Sequence, residues 1–409
     1  MASTMEPNRK RVAFVVQRAG TEVNGGSEAL CLRIATRMTA YWEVEILTTC
    51  ALDYMTWENH YPPGVEHHGN LIIRRFSVAH PRDIARFNRS TGTVISAPDR
   101  VTIEAGEAWM KEQGPWCPDL FAFIQAEKHR YDRFIFFTYL YCTSYFGLPL
   151  VADRAVLVPT AHDEWPIYLK IWDRWFSRPR ALIFNTVEEK AFLQKRFPSL
   201  AIEGPVAGTA VTPPADLDGQ RFRASYGIDG PFVLYLGRID ASKGCVELID
   251  HFVRLRATES APRKLVLLGK SVIEIPRHPD VLALGFVPEQ TKWDALAACE
   301  FLVMPSLFES LSLVLLEAWA AGKAVLVNGN SEVLAGQCRR SDGGLSYRSE
   351  EEFRAAVRLL DDPERRRTFG EQGRRFVDRH YEAQAIDEIY LRAGASGDRG
   401  VSPVRPIGE

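Results

Sequence analysis

The segment 301–327 places the strongest constraint on how this chain can fold. Residues 301–304 form an apolar run short enough for a buried strand, and Pro305 ends it because proline cannot donate to a sheet ladder. A second β-rich run occupies 324–327. An apolar stretch of helical length separates the two runs, so the segment predicts a strand, a helix and a parallel strand of an α/β domain.

The predicted helix of this segment begins at a capping serine, Ser310 or Ser312, and runs through Ala321. Gly322 follows, and glycine is the residue type expected just past a helix end. Because the helix is apolar on nearly all sides, we expect it to be buried between layers.

Two glutamates do not fit this apolar pattern. Glu309 stands just before the predicted helix and Glu317 on its second turn. A buried carboxylate is costly unless a partner or a ligand compensates it, and the first amide groups of a helix favour an anion. One interpretation is therefore a pyrophosphate at the helix end, with a sugar near Glu309 and a ribose near Glu317. The alternative is a capped core helix with one glutamate that reaches solvent.

The pattern Pro-Ser-x-x-Glu309-x7-Glu317, continued by Ala-x-Ala-x-Gly-x-x-Val, resembles the signature of glycosyltransferase family 4. The resemblance covers residues 12–377. It implies an α/β fold of the GT-B class, in which two Rossmann-like parallel-sheet domains face a central cleft, and a retaining enzyme that uses a nucleotide-diphosphate sugar. Many members have glycine where this chain has Ser310 and Ser312, but serine still offers its backbone N–H to a phosphate.

The length of 409 residues suits two domains of about 200 residues each. A segment rich in Pro, Gly and Asp predicts the boundary between them. The predicted organisation is an acceptor domain at 1–208, a linker at 209–230, a donor domain at 231–380, a C-terminal helix at 381–392 that crosses back to the first domain, and a loose tail at 393–409.

Charge and cysteine usage exclude several classes of protein. A formal net charge of −2 argues against a general nucleic-acid binder. The seven scattered cysteines lack disulfide or zinc spacing and are typical of reduced thiols in a cytoplasmic protein. The first ten residues lack the apolar core of a signal peptide, and no apolar run approaches membrane-spanning length. We therefore expect a cytoplasmic protein, at most peripheral at the inner membrane face.

Two turns of the first half are candidate sites. Gly25 and Gly26 follow a β-rich strand at 12–16 and open a helix, and such a pair lets the backbone approach a phosphate, although a plain tight turn fits as well. His162 follows a strand at 155–159, at the sheet edge where α/β sites form, although a simple capped turn is the alternative. Both turns resemble the family, in which the first loop reaches towards donor and acceptor and the histidine contacts the transferring sugar.

Two further segments of the first half carry weaker predictions. The region 50–106 is expected to be long and irregular, and its three histidines form no coherent metal pattern. The segment 166–180 mixes large apolar rings with four basic residues and is a candidate for peripheral membrane contact. The favoured interpretation of 166–180 is a core helix with a solvated basic face.

In the second half, Arg238 and Lys243 lie on the turn after a predicted strand at 232–236, where positive charge adds to the field of a helix end. Such a turn is often only solvated surface. However, Gly-Arg-x4-Lys-Gly closely resembles the family motif that holds the donor pyrophosphate. Val287 ends a segment that resembles the family's nucleobase contact. Residues 328–344 are expected to form turns.

These observations give a complete predicted site without a metal, because no Asp-x-Asp motif stands in a suitable turn and no cofactor is implied. The predicted catalytic residues are Glu309, His162, Arg238 and Lys243. The predicted donor-binding residues are Gly25, Gly26, Arg238, Lys243, Val287, Glu309, Ser310, Leu311, Ser312, Leu313 and Glu317.

The predicted function is transfer of a sugar from a nucleotide-diphosphate donor to a saccharide or lipid-linked saccharide acceptor, in polysaccharide or glycoconjugate assembly. A nucleotide-sugar epimerase on the same fold is one alternative, and a non-catalytic scaffold partner of other glycosyltransferases is another. Base, sugar and acceptor are not specified by these motifs.

Overall fold

The computed structural model describes residues 9–258 and 262–395, and their contacts divide the chain into two compact units. The first unit comprises residues 9–209 together with 384–395, and the second comprises 210–383. Each unit has its own sheet, parallel or nearly so, and its own buried core. The second unit thus begins at the start of the predicted linker, about twenty residues before the predicted donor domain.

The first unit is built on a seven-stranded sheet with the order β3-β4-β2-β1-β5-β6-β7. Its strands are β1 (Arg11–Val15), β2 (Glu43–Thr49), β3 (Gly64–His68), β4 (Leu71–Phe76), β5 (Arg133–Phe137), β6 (Ala155–Val158) and β7 (Ala181–Leu182). Its helices are α1 (Gly26–Met38), α2 (Ile84–Ile95), α3 (Ile103–Gln113), α4 (Pro118–Glu127), α5 (Cys142–Gly147) and α6 (Val187–Arg196). All pairs are parallel except β3 with β4. The central strands are continuous apolar runs because helices cover both faces of such a sheet.

The prediction of an irregular region at 50–106 is wrong, since β3, β4, α2 and the start of α3 lie there. Strand β3 is exposed along its whole length and carries Glu66, His67 and His68, so it shows no hydrophobic pattern. It pairs only with β4, at the edge of the sheet. An edge strand that buries no side chains leaves no period-2 signal in a sequence.

The segment 166–180 is not the expected helix but a series of short 3₁₀ turns. The rings of Trp172, Trp175 and Phe176 are buried in the core of the first unit. The basic side chains of this segment are exposed. This supports the core interpretation over the membrane one, because rings already packed inside the unit are not available to a bilayer.

The second unit is built on a six-stranded parallel sheet with the order β10-β9-β8-β11-β12-β13. Its strands are β8 (Phe232–Leu236), β9 (Lys264–Leu268), β10 (Val281–Gly285), β11 (Phe301–Met304), β12 (Ala324–Asn328) and β13 (Gly344–Tyr347). Its helices are α7 (Gly219–Tyr226), α8 (Cys245–Thr258), α9 (Glu289–Ala298), α10 (Leu313–Ala320), α11 (Glu332–Ser341), α12 (Glu350–Leu359) and α13 (Pro363–His380). Strands β8 and β11 match the predicted bounds residue for residue. Helix α10 begins directly after Ser312, but the predicted capping role is wrong, because the Ser312 side chain makes no capping hydrogen bond.

Two helices of this unit were not predicted. Helix α7 lies inside the predicted linker 209–230, where Asp218 caps it and Arg221 binds Asp294 of α9 with an Nε to Oδ2 distance of 2.6 Å. Helix α11 lies inside the predicted turns at 328–344. Both helices are short and begin in sequence rich in Gly and in Asp or Asn. These turn-forming residues favour the prediction of a linker or turns, because the helical pattern that follows them is weak. Tertiary contacts stabilise such short helices in the folded protein.

The last element, α14 (Ala383–Ala393), packs on the first unit. Arg37 of α1 donates to both carboxylate oxygens of Asp387, at 3.1 Å from Nε and 2.7 Å from Nη2. Ile386, Ile389 and Tyr390 are buried beside this pair. The predicted C-terminal helix therefore belongs to the first unit, and the predicted tail falls partly outside the described residues.

Candidate active site

The strand order of the second sheet determines where a ligand can bind. From β8 the chain proceeds outward through β9 and β10, and then returns to place β11 on the other side of β8. The crevice at the carboxyl ends of such neighbouring strands is the usual ligand position in open α/β sheets. Two turns leave the sheet there, the one at 237–244 after β8 and the one at 305–312 after β11.

The two turns are packed against each other at Gly244. This residue has φ +73°, and a Cβ added to it would collide with the carbonyl oxygen of Pro305. Only glycine meets both conditions without strain. The close approach carries Lys243 to the second turn, where its Nζ lies 2.8 Å from Oε1 of Glu309. The final glycine of the Gly-Arg-x4-Lys-Gly motif therefore has a steric role.

Arg238 on the first turn is held by Asp240, which accepts from the guanidinium Nε. Asp240 also accepts from the backbone N–H of Lys243 at 3.1 Å and from the Ser242 hydroxyl at 2.6 Å. Burial by itself would raise the pKa of Asp240, but the Ser242 hydroxyl and Arg238 lower it below its usual value. Asp240 thus stays ionised and fixes the turn that carries both predicted cations.

Asp240 was not among the predicted site residues. A signal was present, because an Asp three residues before a turning Lys-Gly is typical of a cap that closes the turn on its own backbone. The motif Gly-Arg-x4-Lys-Gly specifies Arg238 and Lys243, whereas Asp240 occupies one of its unspecified positions.

Glu309 lies at the second turn, and its side chain is mostly buried, with an exposed fraction of 14%. Ser310, Leu311 and Ser312 follow it and lead into α10. Leu311 is buried, and its carbonyl oxygen accepts from the Gln337 amide at 2.6 Å. The structure thus brings Arg238, Lys243, Glu309 and the N-terminus of α10 together at one sheet edge.

Glu317 lies on the second turn of α10 and is almost fully buried, at 2% exposed. Lys292 of α9 lies beside it, with 2.9 Å between Nζ and Oε2, and Lys292 also pairs with exposed Glu289 at 2.8 Å. Lys292 compensates the buried carboxylate, and nothing in the sequence pattern pointed to this residue. Val287, the predicted nucleobase contact, lies between β10 and the start of α9 and is buried.

The first unit has an analogous switch point, since β2 and β5 lie on opposite sides of β1. Gly25 and Gly26 lie at the carboxyl side of β1, where Gly25 caps α1. A Cβ on Gly25 would collide with the Glu28 carboxylate, whereas one on Gly26 would meet nothing within 4 Å. Buried Arg18 binds Glu28 and holds it in place. Gly25 therefore has a structural explanation, while Gly26 leaves space open at the surface of the turn.

His162 follows β6 at the same edge of the first sheet. Its Nδ1 lies 3.5 Å from Oε1 of Glu164, which also accepts from the buried Tyr139 hydroxyl at 3.2 Å. Burial and the neighbouring Glu164 raise the pKa of Tyr139 well above its usual value, so this phenol remains a donor. Glu164 was not predicted, although it lies two residues from the histidine.

The backbone is strained at this edge. Thr138 after β5 has φ +62° and Thr160 after β6 has φ +49°, values that β-branched residues rarely adopt. Buried Glu189 of α6 accepts from the backbone N–H of Ala161 at 2.6 Å and of Asn185 at 2.6 Å. Strained residues persist only where surrounding contacts hold them in place, and they cluster at functional sites. Here Glu189 ties the turn that carries His162 to the end of the next strand.

Within 9–258 and 262–395, no group of three or more His, Cys, Asp or Glu residues is arranged to hold a metal ion. All seven cysteines are free and buried. Over the same residues, no helix has the length and apolar character needed to cross a bilayer.

Comparison with known proteins agrees with this geometry. Residues 218–376, which include both turns of the second unit, match the family model of glycosyl transferases group 1. The resemblance to glycosyltransferases inferred from the motifs is therefore confirmed at the level of this family model.

A curated relative is the N-acetylgalactosamine-N,N'-diacetylbacillosaminyl-diphospho-undecaprenol 4-alpha-N-acetylgalactosaminyltransferase of Campylobacter jejuni. It is 26% identical over 189 residues, which are 43% of this chain and 48% of that protein. The chain spans about half the length of the curated relatives it matches first.

Solved structures match over nearly the whole chain. Sucrose-phosphate synthase from Thermosynechococcus elongatus aligns with a TM-score of 0.68 and 18% identity, over 94% of this chain and 98% of that one. HepE of Anabaena, solved with UDP and glucose, aligns with a TM-score of 0.65 and 15% identity, also over 94% and 98%. These similarities confirm the predicted GT-B fold class, with two parallel-sheet α/β domains.

Proposed function

We propose that this protein is a retaining glycosyltransferase that moves a sugar from a nucleotide-diphosphate donor to a saccharide or lipid-linked saccharide acceptor, without a metal. The observation that carries the proposal is the meeting of Lys243 and Glu309 at the N-terminus of α10, 2.8 Å apart. The match of this region to group 1 glycosyl transferases supports it.

The cations and the helix end account for leaving-group stabilisation. When the bond between the anomeric carbon and the diphosphate oxygen breaks, its electron pair goes to the diphosphate. Arg238, Lys243 and the backbone amide groups at 310–313 would stabilise that growing negative charge. Such preorganised groups lower the activation barrier of the reaction by several kcal/mol, and a single hydrogen-bond donor contributes about 3 kcal/mol. Positive charge from these groups would serve in place of a divalent ion.

The remaining residues would position the substrates. Glu309 would orient the donor sugar, Glu317 would bind the ribose hydroxyls, and backbone near Val287 would contact the base. His162 would contact the sugar near the reacting carbon. Gly25 and Gly26 would let the backbone of their turn approach a phosphate. The acceptor oxygen forms the new bond on the face from which the diphosphate leaves, and the acceptor proton passes to the diphosphate.

In the ligand-free protein, Lys243 and Glu309 neutralise each other. A donor phosphate would take over Lys243 and release Glu309 to the sugar hydroxyls. Glu309→Ala should therefore abolish sugar transfer but preserve or improve the affinity for a nucleoside diphosphate, because Lys243 loses its competing partner. Turnover that survives in Glu309→Ala would contradict the role given to this glutamate.

The deciding experiment is calorimetric titration with UDP, GDP, ADP, CDP and dTDP. We expect tight binding of one of them and a loss of tenfold or more in Arg238→Ala, since a hydrogen bond to a charged group contributes about 1.5–3 kcal/mol. Arg254→Ala is the matched control, because Arg254 is an exposed arginine of α8 that pairs with Asp250 and Glu350. Equal losses in both variants, or no binding of any of the five, would reject the donor site.

Transfer itself is tested with sugars on the nucleotide that binds. Formation of a glycoside with the anomeric configuration of the donor would support retention. Conversion of the donor without an acceptor would identify an epimerase instead, and binding without any turnover would favour a scaffold protein.

A further inference from the structure

Ser312 combines two unfavourable features at the N-terminus of α10. Its backbone lies in the left-handed region, with φ 65° and ψ 86°. Its side chain is buried, with the residue 7% exposed, and its hydroxyl has no hydrogen-bond partner among the described residues. Glycine at this position would remove both costs, because it has neither a Cβ nor a hydroxyl. A serine that carries both costs calls for a compensating role.

The hydroxyl does not serve as a helix cap. Serines at the ends of neighbouring helices behave in the ordinary way: Ser331 accepts from the N–H of Leu334, and Ser349 accepts from the N–H of Glu352 at 3.2 Å. Ser312 makes no such bond, because its backbone conformation is not the extended one of a normal cap. The Leu315 N–H instead bonds to the Ser312 carbonyl oxygen at 3.2 Å, and the Leu313 and Val314 amide groups lack the side-chain acceptor that a capping serine would supply.

The conformation of this turn is fixed from both ends. Glu309 is held by Lys243, and the Leu311 carbonyl oxygen is held by the fully buried Gln337. Strain of this kind persists only where the surroundings over-determine it, and it concentrates at ligand sites. The turn is thus preorganised, with the Leu313 and Val314 amide groups, a lysine and an unpaired hydroxyl at one helix end.

We propose that the Ser312 hydroxyl is a ligand-binding group in its own right, beyond the backbone amide of the residue, and that it donates a hydrogen bond to an oxygen of the donor diphosphate. An anion is the ligand that the helix end and Lys243 favour, and phosphate oxygens accept from O–H donors. This inference rests on the proposed function and adds a residue of the diphosphate subsite that a glycine could not supply.

The test compares two variants that remove the hydroxyl in different ways. Ser312→Ala keeps the Cβ and the left-handed backbone, whereas Ser312→Gly also relieves the strain. We expect both to bind the nucleoside diphosphate preferred by the wild type about tenfold more weakly in calorimetry. We also expect neither to melt below the wild type, because each removes an unsatisfied buried hydroxyl. Weaker binding without lost stability is a result that a purely structural serine would not give.

Two controls separate the contributions. Ser349→Ala removes an ordinary capping hydroxyl in the same unit and should lower the melting temperature without changing affinity. Asp342→Gly relieves a left-handed residue, φ 48°, at the end of α11 and should leave affinity unchanged. If the wild type binds a diphosphate and both Ser312 variants bind it equally well, the role of the hydroxyl is wrong and the proposed function stands. If the wild type binds none of the five diphosphates, both fail.

Discussion

At the residue scale, the buried carboxyl group of Glu189, near His162, has a raised pKa. Burial raises its pKa to about 8, although two backbone N–H groups that donate to it act in the opposite direction. The folded protein therefore keeps a proton on Glu189 that the unfolded chain loses near the ordinary glutamate value. Because the native state binds more protons, this group favours folding at low pH, and its contribution declines as the pH rises towards 8.

Glu189→Gln should flatten this pH dependence. Between pH 5 and 8 we expect the melting temperature of the wild type to fall more steeply than that of the variant, since a neutral amide has no proton to lose. The difference corresponds to at most about 1.4 kcal/mol per pH unit. Thermal melts at pH 5, 6.5 and 8 measure it. Parallel curves for the two proteins would show that Glu189 is ionised throughout this range.

At the scale of elements, an ion pair joins α9 to α10. Lys292 and Glu317 lie 2.9 Å apart, and Glu317 is almost fully buried. Removing one member of a buried pair costs about 3–5 kcal/mol when the other charge remains. Lys292 is partly exposed, at 18%, so the cost here should be lower.

Lys292→Met should therefore destabilise the second unit by about 1–3 kcal/mol and weaken nucleoside diphosphate binding, because Glu317 loses the charge that positions it. Thermal melting and calorimetry measure the two effects. Glu289→Ala removes the exposed partner of the same lysine and should be close to neutral, as surface pairs are. A Lys292→Met protein with wild-type stability would show that other groups compensate Glu317.

At the scale of the whole molecule, the return of the chain to the first unit through α14 joins residues far apart in sequence. Asp387 is buried and binds Arg37 through two hydrogen bonds, and it also accepts from Tyr41 at 3.2 Å. This is the strong, bidentate type of ion pair. It anchors α14 to α1 across 350 positions of the chain.

Asp387→Ala should loosen this anchor. We expect a loss of about 1–3 kcal/mol in stability and faster amide hydrogen exchange in α1 and α14, with no change in α10. Glu388→Ala is the matched control on the same helix, since its pair with Arg392 is exposed. Hydrogen exchange that rises equally in all three helices would indicate global unfolding and would contradict a local anchor.

Elements with a local signal could be predicted from the sequence. The run 301–304 and the helix after it were predicted because a buried parallel strand and an apolar helix impose their own patterns. The resemblance built on Glu309, Glu317, Arg238 and Lys243 pointed to a nucleotide-sugar enzyme. Elements without a local pattern, such as exposed β3 and the short α7 and α11, were missed.

The assembly of the sites, in contrast, depends on tertiary contacts. Strand order placed the turns after β8 and β11 side by side, and Gly244 packed them closely enough for Lys243 to reach Glu309. The pairing of Lys292 with Glu317, the contacts of Glu189 and the strained Ser312 likewise depend on contacts between distant segments, whereas the side-chain partners of Asp240 lie within three residues of it. Burial and pairing are properties of residues brought together by folding, and a single sequence records them only where they also leave a local pattern.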